Sequence, residues 1–490
     1  MTLDFLVILV LSVGAFLYAA LVRGKGRQWA LLVGSVIAIY WLQPNLPIRF
    51  SAYILQTTTV ILTIGTWWLT QLGADNEFQL SNKSENRIAI GIIFLIIIGM
   101  AFNRYLNVDL RLTAYRPPPP LSVAAVLATI LLMFLVVGRF LGKWNERYVL
   151  TAAILIIVVL FVILKFEPLW EGVSYFWRGL TGQDTSLAGV GDLAWLGFSY
   201  VAFRLIHTLR DSQTGILPAL SLREYVTYVL FTPAYISGPI DRAERFVKDL
   251  RQLPQMKAFD STRFWLGGRR ILIGMFKKFV IADSLAQGMS LTPLNALQAN
   301  SSAGLWVLLY GYTLRLFFDF SGYTDIAIGL GILFGINLPE NFDRPYRSTS
   351  ITQFWQRWHI TLSNWVRFYV FTPLSRSLLR RKPRPSPRLI VLVSQLTTMV
   401  VIGLWHGITW NFFIWGLWHG LALFVHKQWS DRTRKWHRNL QTQKWPRRGW
   451  VFATWFLTFQ YVALGWVWFL MPNVSSALRV YSRLFGISSS

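Results

Sequence analysis

The sequence predicts an all-α, polytopic integral membrane protein with about 11–14 membrane segments. Three observations carry this. Apolar runs about as long as a bilayer is thick recur along almost all of the 490 residues. Only 14% of residues are charged, against roughly 25% in a globular domain, while 54% are hydrophobic and 16% aromatic. The runs are continuous and lack the two-residue alternation of a membrane β-barrel.

The leading runs fall at roughly 3–22, 28–43, 50–72 and 87–106. The first has no basic region before it and no cleavage site after it, so it is expected to be retained as a helix. Pro117 to Pro120 is a polyproline linker, which cannot sit inside a helix. It divides N-terminal transmembrane helices, residues 1–115, from a larger part, 116–490. Further runs fall at roughly 119–141, 148–166, 186–209, 221–238, 264–284, 303–320, 322–337, 389–405, 408–426 and 450–470. The second run and the 322–337 segment are short enough to be re-entrant. Gly331 and Gly335 form a small-xxx-small pattern, read as helix packing.

Charge orients the chain. The net charge of +26 suits cytoplasmic loops and anionic headgroups, and no nucleic-acid motif accompanies it. One basic stretch holds Arg376, Arg380, Arg381, Lys382, Arg384 and Arg388. The other runs from Lys427 to Arg448. Both are expected on the cytoplasmic side of the cell membrane. The segment between them must then leave and return, with its turn at Gly407 to Asn411. A helix from Leu389 rises ~24 Å, which places His406 well away from the cytoplasmic surface. There is no cysteine, so disulfides, thiolate metal sites and acyl-cysteine intermediates are excluded.

An ionisable residue within membrane segments is a functional candidate. His406 lies in Gly403-Leu404-Trp405-His406-Gly407, whose flanking glycines allow close approach of a backbone or a thin substrate. The same pentapeptide recurs around His419, so the motif alone cannot separate catalyst from scaffold. His359 lies in an aromatic segment, Phe354 to Trp365. Continued as a helix, this segment puts Trp355, His359 and Leu362 on one face, and Trp358, Leu362 and Trp365 on another. Desolvation among aromatics would favour a neutral imidazole, able to act as a base; hydrogen bonding to a helix end is the alternative. His207, His426 and His437 sit at helix ends or beside basic loops. Asp319 and Asp325 need partners, for which Arg315 or Tyr323 lies near in sequence. There is no phosphate-binding glycine loop and no zinc motif, and no acidic or thiolate ligand is placed to complete a two-histidine metal site.

At these residues the chain resembles the membrane-bound O-acyltransferase (MBOAT) superfamily. The likeness is to its bacterial branch, which contains the teichoic-acid D-alanyl transfer protein (DltB) and the alginate O-acetyltransferase (AlgI). The matching pieces are Ser237 to Arg242, Lys277 to Asp283, Phe320 to Asp325, Pro339 to Tyr346, Phe354 to His359 and Gly403 to Gly407. They run in one order over roughly 190–470. The resemblance implies a helical ring around a central tunnel, with the catalytic histidine at His406 and a second polar position at His359. Trp405, Trp358, Trp355, Asn364, Trp365, Asp319, Ser321, Tyr323 and Asn341 are candidates to line the tunnel. Arg367-Phe368-Tyr369 departs from the branch's Arg-Asp-Tyr, and the residues before about 115 form a long extension.

The implied function is transfer of an acyl group, acetyl or D-alanyl, to a hydroxyl of an exported cell-envelope polysaccharide or glycolipid. No tightly bound cofactor is implied. An acyl thioester, on acyl carrier protein or acyl-CoA, is the co-substrate from the cytoplasmic side. An extracytoplasmic accessory acyltransferase and membrane lipids complete the expected partners. Neutral His406 would take the proton from the attacking hydroxyl. Two other readings stay open. One is a lipid O-acyltransferase using acyl-CoA. The other is a transporter or flippase, which would show inverted repeats and broken helices in matching halves.

Overall fold

In the computed structural model, the described residues are 4–72, 82–107, 110–141, 144–257, 259–442 and 444–487. They are helical, with no strand among them. In chain order the elements used below are α1 (Phe5–Leu21), α2 (Gly26–Leu42), α3 (Ser51–Thr70), α4 (Lys83–Ala101), α5 (Pro120–Leu141), α6 (Glu146–Lys165), α7 (Glu167–Leu180), α8 (Phe198–Gln213), α9 (Leu222–Leu230) and α10 (Ala243–Gln252). They continue with α11 (Ser261–Met275), α12 (Ser302–Phe334), α13 (Ile351–Trp355), α14 (Ile360–Val366), α15 (Thr372–Leu379), α16 (Pro387–His406), α17 (Trp410–Arg432), α18 (Arg434–Gln441), α19 (Lys444–Leu470) and α20 (Val474–Leu484). By length and composition, six of the described helices can cross a membrane: α4 with its short extension to Tyr105, α5, α6, α12, α16 and α19.

The chain forms two compact units. One contains the residues up to Arg270 together with Ala327–Leu338. The other contains Ile271–Ile326 and the residues from Pro339 onward.

In the first unit, α9 packs against α2, α3 and α4. Its N-terminus is closed by a reciprocal capping box: Ser221 Oγ accepts from Glu224 N–H, and Glu224 accepts from Ser221 N–H. Buried Arg204 donates to the carbonyls of Val229 and Ala234, both at 2.6 Å, and so satisfies backbone where helix gives way to turn. That break is a correction to the 221–238 run, which is two short helices, because Pro233 at the start of Thr232–Tyr235 interrupts the first. The 186–209 run is likewise two 3₁₀ turns followed by α8. Outward-facing Leu131, Leu132 and Leu135 of α5, and Leu155, Ile156 and Val159 of α6, are exposed, as lipid-facing residues are.

In the second unit, α16 and α17 form a tight hairpin joined by Gly407-Ile408-Thr409. A Cβ on Gly403 would strike the Phe412 carbonyl, and one on Gly416 would lie 2.7 Å from the Met399 carbonyl oxygen. The two backbones therefore touch where glycine removes the side chains. Helix α19 packs on α17, and α20 packs on α19. Within this unit Gly274 and Gly322 form a reciprocal crossing: a Cβ on either would lie 2.6 or 2.8 Å from the other's carbonyl oxygen.

The runs 303–320 and 322–337 are one 33-residue helix, α12. Gly335 is the left-handed residue that ends it, with φ 86°, and Ile336 N–H closes back on the Gly331 carbonyl at 2.8 Å. The glycine pair read as helix packing is thus a helix stop. The 264–284 run also differs: α11 ends at Met275 and widens into a π-type segment, Phe276–Ala282.

Candidate active site

Everything in this site belongs to the second unit. His406 is the last residue of α16. It is partly exposed, at the end of the helix remote from the basic loop before Pro387. Its ring meets Trp405 at 4.6 Å, Phe469 at 4.7 Å, and Phe412 and Trp415 at 5.8 Å each. The imidazole therefore sits in an aromatic collar at the tip of the hairpin.

His359 is held differently. The helix expected across Phe354–Trp365 breaks: α13 stops at Trp355, His359 adopts φ 43°, and α14 begins at Ile360. The shared faces expected for Trp355, His359 and Leu362 therefore do not form. A distant residue supplies the cap. The Asn341 carbonyl oxygen accepts from Ile360 N–H at 2.9 Å, and its side-chain Oδ1 accepts from Thr361 N–H at 3.2 Å and Thr361 Oγ1–H at 2.8 Å.

The same Oδ1 lies 3.0 Å from His359 Nδ1. Because Thr361 N–H can only donate, the Asn341 atom facing it is the oxygen, and His359 Nδ1 must carry the proton. Neutral His359 then presents a lone pair on Nε2, which is buried and meets no hydrogen-bond partner. Burial holds this imidazole below its ordinary pKa, in the neutral form. Phe320 lies edge-on at 4.8 Å, and Trp405 at 6.1 Å. The indole of Trp405 thus touches both histidines.

The duplicate histidine is distinguished by geometry. His419 is fully buried in the middle of α17, and its Nδ1 accepts from Trp355 Nε1–H at 3.4 Å. Its Nε2 would lie 3.0 Å from a Cβ on Gly465. It is wedged in a helix crossing, whereas His406 stands at a helix end.

Of the other expected residues, Trp355 and Trp358 join this aromatic mass: Trp355 packs on Trp415 at 5.7 Å, and Trp358 on Trp466 at 5.1 Å. Ser321 and Tyr323 are buried on α12. Asn364 is exposed, and Trp365 packs on Tyr369 at 5.1 Å. Asp319 pairs with Lys278, and Asp325 with Lys277, each at 2.6 Å. Both ion-pair partners are lysines, where the sequence offers Arg315 or Tyr323 nearby. Phe320, Phe412, Trp415 and Phe469 were not singled out as site residues. Aromatics are so frequent in this chain that only their contacts reveal them. No group of three or more metal-ligating side chains occurs among the described residues.

Comparison with known proteins gives a consistent picture. The family model of MBOAT, the membrane-bound O-acyltransferase family, matches residues 87–471. A peptidoglycan O-acetyltransferase of Helicobacter pylori is 37% identical over 292 residues, covering 57% of this chain and 50% of that protein. A teichoic acid D-alanyltransferase of Bacillus subtilis is 29% identical over 389 residues, covering 77% of this chain and 94% of that protein. A probable alginate O-acetylase of Azotobacter vinelandii is 37% identical over 296 residues, covering 59% and 53%. The chain spans about half the length of the peptidoglycan and alginate relatives. With most of its length matched and six helices suited to cross a bilayer, this chain is a multi-pass membrane protein that belongs to the membrane-bound O-acyltransferase family.

Proposed function

We propose that this protein moves an acetyl or D-alanyl group from a thioester on the cytoplasmic side to a hydroxyl of an exported cell-envelope polysaccharide or glycolipid. The observation that carries the reading is the pair of histidines on either side of Trp405, one partly exposed at a hairpin tip and one buried with a fixed tautomer. Family membership and relatives named for O-acetyl and D-alanyl transfer support it.

In the proposed reaction the acceptor hydroxyl attacks the thioester carbonyl. His406 takes the hydroxyl proton as the C–O bond forms. The tetrahedral intermediate collapses, the C–S bond breaks, and His406 returns the proton to the departing thiolate. His359 Nε2 accepts a hydrogen bond from the acceptor and orients it. The aromatic collar excludes water that would hydrolyse the thioester. Acyl carrier protein or acyl-CoA delivers the donor, and an extracytoplasmic accessory acyltransferase is the further protein partner. Base-labile esters on envelope polymers, compared between cells with and without the gene, test the reading. Loss of a polymer ester supports it. Unchanged polymers with an altered lipid profile would replace it with lipid acylation.

A further inference from the structure

A second site lies wholly within the first unit. A cavity of about 550 Å³ opens between the α1–α2 turn, the start of α11 and the end of α12. That volume falls in the range of small-molecule sites, about 300–1,000 Å³. Its polar wall is cationic. Arg27 donates to the carbonyls of Val22 and Lys257, both at 2.9 Å, and so ties the turn to the segment before α11. Lys257 is exposed and makes no ion pair among the described residues. Arg263 Nη1 is buried yet meets no acceptor. The one carboxylate in the lining, Asp260, is already engaged: its Oδ1 accepts from Thr262 and Arg263 N–H at 3.0 and 3.2 Å, and its Oδ2 lies 3.7 Å from Arg263 Nε. Three cations therefore face one neutralised acid, and a guanidinium N–H is left without an acceptor.

The rest of the site is apolar and open. Phe259 and Phe264 line the cavity and form a cluster with Phe16 of α1, with ring centroids 5.4–6.3 Å apart. All three are at least 39% exposed, as are Leu9 and Val13 along the same helix. Exposed aromatics beside a cationic hollow match an amphiphile lying along a membrane surface. A soluble anion would leave this aromatic rim uncovered.

We propose that this cavity binds the phosphodiester headgroup of an anionic glycerophospholipid, with its acyl chains against Phe16, Phe259 and Phe264. Lys257 and the accessible part of the Arg263 side chain, which is 34% exposed, meet the phosphate oxygens. The test uses the full-length protein purified in detergent, stripped of lipid, and titrated with phosphatidylglycerol or phosphatidylcholine under native mass spectrometry. Phosphatidylglycerol is expected to be retained over phosphatidylcholine. Arg263→Gln and Lys257→Gln are each expected to weaken its retention about tenfold, with Arg263→Lys recovering part of it. Phe264→Ala is expected to weaken lipid retention while leaving the preference for the anionic headgroup. Lys257 is exposed, so its variant carries the test if Arg263→Gln fails to fold. Equal retention of the two lipids, or wild-type retention in Lys257→Gln and any folded Arg263→Gln, would overturn the proposal. Displacement of the lipid by glycerol 3-phosphate or inorganic phosphate at equal concentration would also overturn it, by showing a soluble phosphate as the occupant.

Discussion

Asn341→Ala removes one side-chain oxygen that serves three donors: His359 Nδ1–H, Thr361 N–H and Thr361 Oγ1–H. The Asn341 main-chain oxygen still holds Ile360 N–H, so the break before α14 survives. The Thr361 hydroxyl can rotate to another acceptor, but the other two donors cannot. Each buried donor left unsatisfied costs about 1–3 kcal/mol, so a stability loss of about 2–6 kcal/mol is expected. The functional effect is separate. Without Oδ1, nothing keeps the proton on Nδ1, and Nε2 no longer reliably offers a lone pair to the acceptor. Losing one hydrogen bond to the reacting group lowers the rate about 10- to 100-fold. The assay is ester formation on envelope polymer, normalised to folded protein in the membrane. Asn341→Asp separates the two roles. It restores the acceptor but places a carboxylate beside an imidazole that burial otherwise keeps neutral. The carboxylate raises the pKa of His359, so the neutral form needs higher pH, and the acid limb of the rate profile moves upward. Wild-type activity per folded molecule in Asn341→Ala, together with an unshifted limb in Asn341→Asp, would refute the positioning role.

Three further outcomes follow from the same contacts. His419→Ala removes the acceptor of buried Trp355 Nε1–H and should destabilise the protein by about 1–3 kcal/mol, while the folded fraction keeps its activity; thermal unfolding read beside activity checks this. Gly403→Ala drives a methyl into the Phe412 carbonyl and should sharply reduce monodisperse protein on size exclusion, whereas Gly449→Ala, with nothing within 4 Å of the new Cβ, should not. Asp325→Asn leaves the Lys277 ammonium unpaired; because Lys277 keeps partial exposure, the loss should fall below the roughly 3–5 kcal/mol of a fully buried pair, and Lys277→Met with Asp325→Leu should recover much of it in a double-mutant cycle.

Some of this was legible in the chain and some was not, for physical reasons. Helical class follows from solvent: a lipid-facing backbone must satisfy itself, so apolar length alone indicates helix. The position of His406 follows from two basic loops and one helix length between them. The break at His359 is invisible locally. Phe354 to Trp365 has helical periodicity throughout, and the cap that starts α14 comes from Asn341, 18 residues from His359. The lysines that pair with Asp319 and Asp325 are likewise invisible locally, because they lie on another segment. Two features of this stretch mislead. The runs 303–320 and 322–337 part at Ser321, yet the helix continues and Gly322 lies inside α12 at a close crossing, whereas the Gly331–Gly335 spacing points to a crossing and Gly335 is a stop. His406 and His419 have identical neighbours in sequence, and only burial and ring contacts tell them apart.

The central claim is that His406 is the base for acyl transfer, and His406→Ala tests it most directly. Its side chain is partly exposed at a helix end, so the protein should insert and purify as the wild type does. Ester formation per folded molecule should fall by at least about 10²–10⁴-fold, while His419→Ala retains activity in its folded fraction. Full ester formation by folded His406→Ala protein would contradict the account.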